Sequence, residues 1–196
     1  DFFTTGTYDA RREFYKTNAP AMDILVSSNL ERLVWFMVNG DSEKVNKYME
    51  ELKETGVYKV DDETLARVQK EFKAGCLGEE DVLKVIHDCW NENKYLLDTH
   101  TAVGYGVYEE YVKNTGDTTK TILLSTASPY KFPESVYQAL TGEEVDVYTA
   151  IEKLHDLTGM EISYPLKGIK DREILHKGVI DRNAILDTIA EKIKEY

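Results

Sequence analysis

Apolar residues recur along this chain on two different periods, and the alternation between them sets the predicted elements. Asp23-Ile24-Leu25-Val26-Ser27 is a short, branched-rich run without a polar face, the pattern of a buried strand. It leads directly into Ser28-Asn29-Leu30-Glu31, an S-x-x-E sequence of capping-box form. Leu30, Leu33, Val34 and Met37 then follow at helical spacing until Asn39-Gly40 stops them. Between Asp41 and Asn93 the period stays helical. Val45, Tyr48, Met49 and Leu52 follow an Asp41/Ser42 cap, with Gly56 just past the end. Leu65, Val68 and Phe72 follow Asp61-Asp62-Glu63 and end at Gly75, while Val82, Leu83, Ile86 and Trp90 follow Glu79-Glu80-Asp81. These read as amphipathic helices with solvated charged faces and no assigned chemistry.

Asp98-Thr99 predicts the cap of a further helix, with Ala102, Val103, Val107, Tyr108 and Tyr111 on its apolar side. Gly104 and Gly106 lie inside it, and each costs about 1 kcal/mol relative to Ala, which predicts close packing against a backbone, a sheet or a ligand. Thr121-Ile122-Leu123-Leu124-Ser125-Thr126 is the second predicted strand, and Ala127–Lys131 its turn. Pro133 suits the first turn of a helix that stops at Gly142. Two terminal helices carry Val147, Ile151 and Leu154 after Asp146, and Ile185, Leu186, Ile189 and Ile193 after Asp181.

Two buried strands, each followed by a helix, predict the α/β class, with a parallel sheet flanked by helices. Two strands do not complete such a sheet, so its remaining strands are expected from sequence outside this chain. The expected organisation is 1–40 as part of a large α/β domain and 41–97 as a mostly helical insertion. Residues 98–196 then form the remainder of the large domain with the C-terminal helices.

Composition acts by exclusion. A chain of 196 residues, 42% hydrophobic, should bury roughly 70% of its unfolded surface, so a real core is expected. Its formal charge of −12, from 24 basic and 36 acidic residues, disfavours nucleic acid as a partner. The longest apolar stretch, Leu33–Val38, is far short of the ~20 residues of a membrane span, so no membrane partner is expected. Cys76 and Cys89 form no C-x-x-C and read as reduced structural thiols of a soluble cytoplasmic protein. Asp1–Gly6 has neither the basic start nor the apolar run of a secretory signal, and a first residue other than Met suggests a piece of a longer polypeptide.

In open α/β sheets ligands collect beyond the carboxyl ends of strands, where helix N-termini offer free N–H groups to anions. Ser27, Ser28 and Asn29 close the first predicted strand, and Ser125, Thr126 and Ser128 the second. Each cluster also fits ordinary capping and turn chemistry. Together they suggest a site for a phosphate-bearing small molecule. His87, His155 and His176 have no metal-ligand spacing, and no metal is expected. His100, in the first turn of the glycine-bearing helix, suits either a ligand contact or a local structural role. No G-x-S-x-G or Walker A sequence occurs, and Gly104-Tyr105-Gly106 is a bare G-x-G inside a helix. The residues alone lead as far as part of an α/β protein with an anionic-ligand site.

Four segments carry a resemblance to a known family. They are Asp1-Phe2-Phe3-Thr4-Thr5-Gly6-Thr7-Tyr8-Asp9, Thr17-Asn18-Ala19-Pro20-Ala21-Met22-Asp23-Ile24-Leu25-Val26-Ser27-Ser28-Asn29-Leu30-Glu31-Arg32-Leu33, Asp98-Thr99-His100-Thr101-Ala102-Val103-Gly104 and Leu124-Ser125-Thr126-Ala127-Ser128-Pro129-Tyr130-Lys131-Phe132. In order and spacing they resemble the carboxy-terminal part of threonine synthase, a pyridoxal-phosphate enzyme of fold type II in the tryptophan-synthase-β-like superfamily. The chain departs from many relatives at Ala19, Ala21, Thr99 and Ser128. The family's Schiff-base lysine and the cup for its cofactor phosphate lie upstream, and no segment here matches them. The resemblance implies a lyase of amino-acid biosynthesis that converts O-phospho-L-homoserine and water to L-threonine and phosphate. It implies pyridoxal 5'-phosphate in the complete enzyme, with Thr126 and Ser125 against the cofactor and no catalytic lysine in this chain. For the substrate it implies Asn29, Ser28 and His100, with charge from Lys131 and Arg32. The missing amino-terminal part is then the expected partner, and the isolated chain is expected to bind no cofactor and to be inactive. A non-catalytic phosphometabolite-binding module and another pyridoxal-phosphate lyase of the superfamily are the alternative readings.

Overall fold

The computed structural model describes residues 1–125 and 127–194. In chain order its elements are α1 Phe2–Thr5, β1 Thr7–Asp9, α2 Ser28–Met37, α3 Ser42–Thr55, β2 Val57–Lys59, α4 Asp62–Glu71, α5 Glu79–Asn93, α6 Thr99–Thr115, α7 Pro133–Thr141, α8 Val147–Thr158 and α9 Ile185–Lys194. Four of these helices begin on an aspartate whose carboxylate accepts an otherwise unsatisfied first-turn N–H. Asp41 takes Lys44 N–H at 3.0 Å, Asp61 takes Thr64 N–H at 2.9 Å, Asp98 takes His100 N–H at 2.9 Å and Asp146 takes Tyr148 N–H at 3.1 Å. The Ser28 box is a correction. Ser28 is the first helical residue of α2, and Ser27, with extended backbone, takes the cap position without a side-chain bond. A second correction concerns α4, which ends at Glu71 rather than Gly75. Phe72 turns extended and lays its ring 6.1 Å from that of Phe3.

The first unit, Asp1–Glu161, holds α1 to α8. Its amino-terminal core gathers Phe2, Val34, Val38, Val45, Tyr48, Tyr58, Val60 and Val68 from α1, α2, α3, β2 and α4. β1 and β2 pair antiparallel with Tyr8 opposite Tyr58. The ring of Tyr58 stacks on Tyr8 and on Tyr48, 5.5 Å from each. Burial raises the Tyr58 phenol above its ordinary pKa, so the central ring of the stack stays neutral. In the other half α5 packs on α6 and α7, and α7 on α8. Gly106 is where α5 and α6 come close: a Cβ there would stand 2.5 Å from Leu77 Cδ1 and 3.0 Å from Val85 Cγ2. The expected close packing is therefore real at Gly106, whereas a Cβ on Gly104 would meet nothing within 4 Å. The second unit, from Ile162, carries α9 behind two 3-10 turns, and Leu186, Ile189 and Ile193 of that helix are exposed.

The α/β class holds with helices dominant, but the predicted parallel sheet does not form among the described residues. The one sheet there is the antiparallel pair β1–β2. A strand needs a neighbour to take its peptide groups. Among the described residues no strand pairs with 121–125, and Ile122 and Leu124 are 85% and 78% exposed. Around the other predicted strand, side chains stand in for a neighbour. The Tyr8 hydroxyl donates to Leu25 C=O at 2.9 Å and accepts from Ser27 N–H at 2.7 Å. Arg12 donates to Ile24 C=O at 2.9 Å.

Candidate functional site

Three of the four resemblance segments converge on the start of α6. Asp98 is buried, and its carboxylate does more than cap the helix. One oxygen accepts from His100 N–H and, at 3.3 Å, from Thr101 N–H; the other accepts from the Thr101 hydroxyl and from Ala127 N–H at 3.3 Å. The turn after residue 125 is thereby tied to the first turn of α6. His100 reaches the opposite way. Its Nε2 accepts Ala21 N–H at 3.1 Å, its Nδ1 lies 3.3 Å from both Asp98 Oδ1 and Thr99 Oγ1, and its ring sits 5.0 Å from that of Phe132. Asn18 extends the join, its N–H donating to Glu79 at 2.6 Å and its side-chain oxygen accepting from Ser135 at 3.3 Å.

Beside this junction lies a cavity of about 450 Å³ lined by Cys89, Asn93, Tyr95, Leu97, Thr101, Tyr105, Leu123 and Ser125. That volume is within the range of small-molecule and cofactor sites. Its walls are two phenols, apolar side chains and neutral hydroxyls. Burial raises the Tyr105 phenol and the Cys89 thiol, so both stand neutral near pH 7. A neutral hydroxyl wall beside aromatic surface fits the edge of a pyridine ring, since a hydroxyl can donate to an unprotonated ring nitrogen. No lysine is among the described lining residues.

The expected site residues divide accordingly. Ser125 lines the cavity. Thr126 lies outside the described residues. His100 is drawn into the junction with both ring nitrogens engaged within the chain. Lys131 is exposed, with its ammonium 5.4 Å from the Phe132 ring centre. Ser28, Asn29 and Arg32 are exposed on α2, where Arg32 donates to the Asn29 side-chain oxygen at 2.5 Å. The shared carboxylate of Asp98 escapes sequence reasoning, which sees a helix cap. An aspartate followed two residues later by histidine is the signal, but it is indistinguishable from a cap until residue 127 is placed beside it.

Comparison with known proteins defines first a class. Over all of this chain the structure superposes on the crystal structure of yeast threonine synthase, with a TM-score of 0.81, 29% identity and 40% of that chain covered. It also matches pyridoxal-phosphate-bound threonine synthase from Brucella melitensis, with a TM-score of 0.65, 30% identity, and 87% of this chain and 36% of that one covered. The fold is thus that of a fold-type II pyridoxal-phosphate enzyme. The family described as "Threonine synthase, C-terminal" matches residues 101–168. Threonine synthase of Saccharomyces cerevisiae is 36% identical over 155 residues, 72% of this chain, and threonine synthase-like 1 of Homo sapiens is 32% identical over 168 residues, 80% of this chain. Within that class, the chain is a homologue of the carboxy-terminal part of the threonine synthases. It spans 30% of the length of the Saccharomyces cerevisiae protein and 22% of the human one. Among the described residues no helix is long and apolar enough to cross a membrane.

Proposed function

We propose that this chain is the carboxy-terminal portion of a cytoplasmic pyridoxal-phosphate enzyme that converts O-phospho-L-homoserine and water to L-threonine and phosphate. The observation that carries the reading is the junction at Asp98, which ties the hydroxyl-bearing segment around Ser125 to α6 and borders a cofactor-sized cavity. Pyridoxal phosphate, when bound, supplies an electron sink for negative charge developing on the substrate carbons. The chain's own residues do the rest of the work assigned here. Thr126 offers its hydroxyl to the unprotonated ring nitrogen, and Ser125 adds a second hydroxyl on that edge. A neutral donor, unlike an aspartate, leaves the ring nitrogen unprotonated and moderates its electron withdrawal. Asn29 and the N–H groups at the start of α2 bind the substrate phosphate, with Ser28 beside them. Arg32, paired to Asn29, and Lys131 add positive charge. The lysine that carries the cofactor and the cup for its phosphate belong to an amino-terminal part, without which the chain is inactive.

The test is steady-state turnover of O-phosphohomoserine by the complete gene product, with threonine and phosphate both quantified. Threonine formation with Thr126→Val reducing turnover at least about tenfold, the order of one well-placed hydrogen bond, supports the reading. Unchanged kinetics in Thr126→Val remove that residue from the ring-nitrogen role. Threonine production by residues 1–196 alone overturns the division of labour between the two parts. Serine and threonine as competing substrates distinguish a related lyase, and phosphate-ester binding without turnover a non-catalytic module.

A further inference from the structure

The geometry at the start of α6 decides which ring nitrogen of His100 carries its proton. Ala21 N–H points at Nε2 from 3.1 Å, and a backbone N–H can only donate, so Nε2 must keep its lone pair. The proton is then on Nδ1, which is in hydrogen-bond contact with Thr99 Oγ1 at 3.3 Å and has the buried carboxylate of Asp98 at the same distance to favour it electrostatically. The opposite tautomer sets two donors head to head at Ala21 and is excluded on that ground. The side chains of His100 and Asp98 are 9% and 0% exposed, so the histidine–carboxylate contact is shielded from water, while the Ala21 end of the clamp lies at the surface. The other oxygen of the same carboxylate holds Ala127. One buried charge therefore orients both the loop that leads to α2 and the turn that follows the cavity-lining Ser125.

We propose that Asp98 and His100 form a positioning pair: Asp98 holds His100 as the Nδ1–H tautomer, and His100 Nε2 clamps the Ala21 loop so that the α2 start is presented to the substrate. Neither residue touches the reacting atoms. This role replaces a direct ligand contact by His100, and its catalytic consequence rests on the function proposed above.

The experiment uses the complete gene product with nitrogen-15-labelled histidine. Imidazole nitrogen shifts are expected to report an Nδ1–H, neutral His100, and Ala21 N–H is expected to be protected from solvent exchange. His100→Gln keeps an acceptor where Nε2 stood, whereas His100→Asn keeps only the reach to Asp98. Gln is therefore expected to retain Ala21 protection and KM within about threefold of wild type. Asn is expected to lose the protection and to raise KM about tenfold, with kcat changed less than KM. An Nε2–H tautomer, or a Gln variant as impaired as Asn, overturns the proposal. A collapse of kcat in both variants with Ala21 still protected overturns it in favour of direct contact. Should the enzyme make no threonine at all, the functional reading falls, while the tautomer and exchange measurements still judge the clamp by themselves.

Discussion

Tyr8 offers a sharp test of how the unpaired segment at 24–27 is held. Tyr8→Phe removes one oxygen and leaves the ring, so the stack on Tyr58 survives while two backbone bonds are lost together. Those bonds join Leu25 C=O at 2.9 Å and Ser27 N–H at 2.7 Å. A typical intramolecular hydrogen bond contributes about 0.5–1.5 kcal/mol net. Both backbone groups belong to half-buried residues, so water partly replaces the hydroxyl, and the lower half of that range applies to each. The expected loss is about 1–2 kcal/mol, or a Tm lower by about 3–6 °C for a chain of this size. Urea unfolding followed by circular dichroism measures it, with the slope unchanged, and amide exchange at Ser27 is expected to accelerate at least about tenfold. Tyr15→Phe is the control, because Tyr15 is exposed and its bond to Glu13 competes with solvent. A Tyr8→Phe midpoint indistinguishable from that control, with Ser27 exchange unaltered, would refute the stand-in role of the hydroxyl.

Three further outcomes are expected. Gly104→Ala should stabilise α6 by up to about 1 kcal/mol, since the added methyl meets open space, while Gly106→Ala should destabilise by about 1–3 kcal/mol against Leu77 and Val85; parallel urea titrations decide the order. The Asp61 carboxyl is held well below the usual range by Lys44, 2.5 Å away, and by the Thr64 N–H. Its folded pKa is depressed, so its contribution is present above the unfolded value near 4 and is lost as pH falls below it. Asp61→Asn should therefore cost about 1 kcal/mol at pH 7, and the gap to wild type should start to narrow only below about pH 4 and close as pH falls toward the depressed folded value, as read by unfolding at several pH values. Finally, a thiol reagent should modify exposed Cys76 in the folded chain and buried Cys89 only after urea is added; rapid reaction of both thiols would contradict the packing of α5.

The helices from 42 onward were legible because their signals are local. An aspartate cap, an apolar stripe and a closing glycine all lie within one helix, as at Asp146 and Gly159 around α8. β1 and β2 were not legible. Each has three residues, too few for an alternating pattern, and Tyr8 meets Tyr58 only because the helices between them fold back. The two predicted strands form no ladder among the described residues for the complementary reason. Ile24–Val26 and Ile122–Leu124 have strand-like side chains, but a ladder needs a second chain segment alongside, and none pairs with them among the described residues. Of the candidate site, Ser125 and His100 were singled out from type and position, and the structure places one on the cavity wall and the other in the junction, whereas Asp98 was seen only as a cap.

Side-chain pattern and capping chemistry were enough to locate most helices, and the four resemblance segments were enough to point to the family. Those signals act between residues a turn or two apart. The antiparallel pair, the tyrosine stack, the cavity beside Ser125 and the tautomer of His100 depend on groups brought together from distant parts of the chain. Asp98 illustrates the difference: its bonds to His100 and Thr101 follow from helix geometry, but its bond to Ala127 exists only once packing has closed a long loop around it.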